Sequence, residues 1–127
     1  MDKALVAELH TLREQVSGIT DTLVSAVDGL LIVADTEDTI DPDGLSALAA
    51  AGLGLAQRTT EATGRGTFRQ SVVYGSGGYM AVYAVGDMAL MVVLGDEGLN
   101  VGRLLKESQP AVERISSILS SPQAPQR

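Results

Sequence analysis

Apolar and polar positions along the chain fall into two periods, and the change from one to the other marks out the elements. Residues 67–95 carry the clearest pattern: three runs, TFRQSVVY, YMAVYAV and MALMVVLG, separated by Gly75-Ser76-Gly77-Gly78 and by Gly86-Asp87. Both separators are rich in residues that tolerate positive φ in tight hairpins, so the runs read as an antiparallel three-stranded meander. The run from Met88 to Leu94 is apolar throughout, which predicts a strand covered on both faces near the middle of a sheet. Residues 67–74 alternate instead, with Phe68, Val72 and Tyr74 on one face and Arg69 and Ser71 on the other. That run is expected at a sheet edge. No Pro blunts it, and an open edge invites pairing with another chain.

An earlier hairpin is predicted from TDTLVSAV and LLIVA, residues 20–34, around Asp28-Gly29. Asp-Gly between apolar runs suits a type I′ turn, which needs positive φ at both central positions. Helical spacing brackets these strands. Leu5, Leu9, Leu12 and Val16 make one apolar stripe over residues 2–16, with Asp2 as N-cap and Gly18 as stop. Val101, Leu104, Leu105, Ala111, Val112, Ile115, Ile118 and Leu119 make another over residues 99–121, with Pro110 on the wet side. The tail PQAPQR, residues 122–127, is expected to be disordered. Residues 1–121 then form one domain.

The helix over residues 43–63, LSALAAAGLGLAQRTTEATG at its heart, is unusual in composition. A helical wheel puts Leu45, Leu48, Gly52, Leu55, Ala56 and Thr59 on the side expected against the sheet. Ala47, Ala50, Gly54, Gln57, Arg58 and Glu61 take the other side. Two interior glycines each cost about 1 kcal/mol relative to Ala. Either Gly52 allows close packing on the sheet, or Ala47, Ala50 and Gly54 form a low strip on which another protein lies.

Composition narrows the function. The chain has 127 residues and no Cys, which excludes disulfides, thiolate nucleophiles and Cys-bound zinc. A formal net charge of −7 repels phosphate backbones, and 3% aromatics leave little for base stacking, so no nucleic acid partner is expected. No apolar run reaches a membrane span, and MDKALVAELH carries acids where a signal peptide carries a basic head. A cytoplasmic protein without membrane insertion is the expectation.

Candidate chemistry is sparse. The acidic loop DTEDTIDPD, residues 35–43, offers oxygen ligands, but the positions an EF-hand gives to Gly and Glu hold Ile40 and Ser46. It reads as a solvated loop, with Pro42 at the helix entry. The lone His10 lies beside an apolar stripe with no triad partner in sight. Lysines occur only at Lys3 and Lys106, so there is no phosphate-cradling G-x-x-x-x-G-K-[ST] loop. Neither a catalytic centre, a metal site nor a cofactor site is expected.

The order α-β-β-α-β-β-β-α predicts an α/β (α+β) fold: a five-stranded antiparallel sheet with helices on both faces. That order resembles the roadblock/dynein-light-chain family, in its small stand-alone bacterial form. The residues that carry the resemblance are LxxLxxxVxG (Leu9, Leu12, Val16, Gly18), VDGLLIV, LSALAAAGLGLA, GRGTFRQSVVY, GYMAVYAVGDMALMVVL and LNVGRLL. The resemblance implies a homodimer whose edge strands pair across a two-fold axis, with the second helices side by side; Leu53, Phe68, Gln70, Val72 and Tyr74 would lie at that interface. It further implies a non-catalytic platform or regulator for a small Ras-like GTPase, docked on Ala47, Ala50, Gly54, Gln57, Arg58 and Glu61. Some family members stimulate GTP hydrolysis; no Arg here stands out as a finger inserted in trans, and Arg58, Arg65 and Arg69 are candidates by position alone, with surface solvation as the other role. A small-ligand sensor is the alternative; it requires a cavity lined by polar groups.

Overall fold

The computed structural model describes residues 2–37 and 39–121. In chain order these form α1 (Asp2–Gln15), β1 (Ile19–Ala26), β2 (Leu31–Asp35), α2 (Pro42–Ala62), β3 (Gln70–Gly75), β4 (Gly78–Val85), β5 (Ala89–Gly95) and α3 (Val101–Ser120). The strands make one antiparallel sheet in the spatial order β2-β1-β5-β4-β3. The fold is therefore α+β in the expected order, with β5 at the centre and β3 at an edge. Asp38 of the acidic loop and the tail at 122–127 lie outside the described residues.

Each strand sends alternate residues to opposite faces, and two cores result. On one face Met91, Val93, Ala81 and Tyr83 meet Leu5, Leu9 and Leu12 of α1 and Leu104, Ala111 and Ile115 of α3. On the other, Leu23, Val82, Leu90 and Val92 meet Ala49 and Leu53 of α2, together with Phe68. The first face has two helices, clamped to one another by an Arg114 Nε–Glu8 Oε1 ion pair at 2.7 Å. The second has α2, so one helix must cover five strands. Pro110 is exposed and α3 runs through it, as its position on the wet side predicts.

Turn chemistry departs from the sequence reading in one respect. The β1–β2 hairpin exists, but Asp28 does not have positive φ, so Asp28-Gly29 is not a type I′ turn. The Gly29 N–H donates to Ala26 O and the Ala26 N–H to Leu30 O, both at 2.9 Å, with Gly29 at φ +93°. This is a three-residue loop closed by a left-handed Gly. The extra residue moves the strand start from Leu30 to Leu31 and leaves Leu30 exposed. Met88 likewise belongs to the β4–β5 turn and is exposed, whereas the apolar run had placed it in the strand. Its carbonyl accepts from the Val27 N–H at 3.0 Å, which ties the two turns together. At the far end, Gly18 has φ +97° and a Cβ there would fall 2.8 Å from Leu99 Cα, so the corner after α1 closes directly on the entry to α3.

Candidate interaction surfaces

Pro42 opens α2 at its first turn, where its missing N–H costs nothing. The helix then rests on the sheet through small residues: Ser46 and Ala49 are fully buried and Leu53 nearly so, with Leu45 and Ala56 at the margin. This corrects the wheel, whose sheet-facing side is off by roughly a quarter turn. Leu48 and Leu55, placed there from the sequence, are 70% and 67% exposed. Gly52 is exposed too, and a Cβ built on it meets nothing within 4 Å, so close helix-on-sheet packing is not its purpose. The physical reason lies in Ser46. Its hydroxyl donates to Pro42 O at 2.8 Å and is thereby neutralised, so a nominally polar residue sits at the tightest point of contact.

The six residues expected to receive a partner do share one flank of α2. Ala47, Arg58 and Glu61 are exposed; Ala50, Gly54 and Gln57 are half-buried. The β1–β2 turn leans on this flank, since a Cβ on Gly29 would lie 3.4 Å from Ala47 Cα. Gly54 has open space around it. The opposite flank, turned away from that hairpin, carries Leu48, Gly52, Leu55 and Thr59. Here the Thr59 hydroxyl is used inside the helix, donating to Leu55 O at 2.9 Å. An apolar stripe thus faces outward. The Leu48–Leu55 spacing of seven residues was legible, but it was read as core.

At the edge, β3 begins at Gln70 rather than at 67. Phe68 breaks the expected alternation. It turns into the core beneath α2 at 5% exposure, whereas Val72 and Tyr74 stand opposite Ala81 and Tyr79 on the α1/α3 side. Phe68 therefore does not share a face with Val72 and Tyr74. Leu53 and Phe68, both expected at an interface, lie in the chain's own core and support the surface from beneath. Gln70 is half-buried, while Val72, Val73 and Tyr74 are exposed. The Tyr74 ring stacks on Tyr79 with centroids 4.7 Å apart. In the sheet, β3 pairs with β4 only, so its outer edge is free.

The titratable groups are arranged as ties. Arg13 reaches Asp35 at 3.2 Å and Glu37 at 3.3 Å, and His10 lies 3.3 Å from Asp35. Buried Asp21 accepts from the Glu37 N–H at 2.9 Å. The acidic loop is thus bound to α1 and β1, more than the solvated loop expected. Among the described residues no group of three or more His, Cys, Asp or Glu could hold a metal ion, and no helix is long and apolar enough to cross a membrane. Arg58, Arg65 and Arg69 are exposed, and among the described residues none of them has an acidic partner.

An open strand edge, a helix with an uncovered apolar flank and sparse chemistry define a small interaction domain. The chain belongs to the Roadblock/LC7 domain family, whose description matches residues 5–95. Protein MJ1340 of Methanocaldococcus jannaschii is 31% identical over 101 residues, spanning 80% of this chain and 88% of that one. Among solved structures, a Roadblock/LC7 domain from Streptomyces avermitilis superposes with a TM-score of 0.82 at 23% identity, covering 88% of this chain and 94% of the other. Myxococcus xanthus MglB gives a TM-score of 0.86 at 18% identity over 94% and 97% of the two chains.

Proposed function

We infer that the protein acts as a non-catalytic homodimeric platform for a small Ras-like GTPase. One observation carries the reading: among the described residues nothing covers the exposed apolar Leu48 and Leu55 of α2 and Val72, Val73 and Tyr74 of β3. Free-edge strands draw other strands, and exposed apolar surface beyond scattered single residues marks an interface. A second copy, paired edge to edge with its α2 alongside, covers both features at once. Gly52 supports this, because open space over a glycine lets another backbone come close. The remaining flank of α2, from Ala47 to Glu61, then faces the GTPase, in keeping with what membership of the family implies.

Two measurements test the reading in sequence. Light scattering of the purified chain should give the mass of two copies, and a monomer overturns the dimer. Capture from the protein's own cell extract on immobilised chain, with a GTP analogue present, should retain a Ras-like GTPase. Gly54→Arg fills open space on a half-buried flank, so the fold and dimer persist and capture is lost. Retained capture moves the docking face elsewhere.

A further inference from the structure

Beside the start of β3, where the α2–β3 connection passes the end of the sheet, lies an open cleft of about 370 Å3. Val112 gives it an apolar wall, and Gln70 and Gln109 line it with carboxamides. Its charged lining is one guanidinium, Arg69, and two carboxylates, Asp87 and Glu113. No ion pair joins them, so both signs of charge border one space without neutralising each other. Small-molecule sites run from roughly 300 to 1,000 Å3 with an apolar lining and few polar groups, and this cleft falls at the small end.

We propose that this cleft binds a zwitterion of dipeptide size. Arg69 takes the carboxylate, because a guanidinium fork matches its geometry. Asp87 and Glu113 hold the ammonium group. The two carboxamides serve the peptide link, and an apolar side chain rests on Val112. A polyanion such as a nucleotide is excluded by charge, since it would meet two carboxylates for one Arg. Arg69, Asp87 and Glu113 are exposed, and exposed pairs contribute little, which sets the affinity on the order of millimolar. The proposal is independent of the GTPase reading, and it gives the domain an input site next to its open edge.

Amide proton–nitrogen correlation spectra of the full chain, titrated with the dipeptide Ala-Leu, test it. Saturable shifts should be confined to residues 67–70, 83–87 and 109–113. The N-acetylated and the C-amidated dipeptides should each bind about tenfold more weakly. Arg69→Gln should erase the preference for the free carboxylate, and Asp87→Asn with Glu113→Gln the preference for the free amine. Unchanged spectra away from the cleft establish that these surface variants fold. Absence of saturable shifts at millimolar dipeptide, or equal binding of the blocked forms, overturns the proposal.

Discussion

β2 and β3 both close the sheet, yet the chain treats its two edges in opposite ways. Every residue of β2 is at least partly covered, whereas the last four of β3 are exposed. α1 lies over β2, and Arg13 and His10 reach across to Asp35 at the strand's end. Among the described residues, β3 has no such lid and no ion pair. A covered edge has been withdrawn from assembly, and an edge left apolar and bare has been kept for it.

The largest effect is expected where α1 seals β2. Leu9 is fully buried there, and Leu9→Ala should cost about 2–5 kcal/mol in urea unfolding, while the mass in solution of the folded fraction stays that of the wild type. A change of mass as well would show that the sealed edge takes part in assembly. At the open edge the reverse holds. Val72→Asp places two carboxylates near one another when the edges pair, and association should weaken about a hundredfold with the monomer still folded. An unchanged dimer on dilution would make the two edges equivalent.

Much of this asymmetry was legible in the sequence. Uniform apolarity placed β5 at the centre, and alternation without Pro placed β3 at an edge. Legibility failed where a residue's class differs from its behaviour. Ser46 counts as polar, but its hydroxyl is satisfied within α2, and so it occupies the contact that Leu48 was expected to fill. In a helix made largely of Ala and Gly, a few leucines decide the wheel, and they point to whichever surface is apolar, whether inside the chain or between chains. Phe68 failed for a different reason: alternation holds only while the strand lasts, and β3 starts two residues later. Leu30 and Met88 shifted out of their strands because a left-handed Gly lengthens a turn without adding a polar residue to announce it. The cleft at Tyr83 has no local signal, since it is assembled from three separated segments.

A smaller effect should separate the two flanks of α2. Leu55→Ser on an exposed site changes the monomer by no more than about 0.5 kcal/mol. It should nevertheless weaken dimer association about tenfold, because that side chain is buried only when a second copy is present. Equal dissociation constants for Leu55→Ser and wild type in sedimentation equilibrium would assign the bare flank to the GTPase, and the Ala47–Glu61 flank to the second copy.

The smallest effect probes the buried phenol of Tyr83. Burial pushes the Tyr83 phenol above its ordinary pKa of 10.0, a shift the neighbouring Ser108 hydroxyl opposes but does not cancel. Below that pH the phenol is neutral in both folded and unfolded chains, and its contribution to stability is constant. Above it the unfolded chain ionises first, so stability falls as pH rises toward the folded pKa. Tyr83→Phe removes a buried hydroxyl and should change stability near neutrality by less than about 1 kcal/mol. Its stability curve should run parallel to the wild type's up to about pH 10 and lie increasingly above it beyond. Parallel curves for wild type and Tyr83→Phe above pH 10 would mean that the phenol beside the open edge meets water as freely in the folded chain as in the unfolded one.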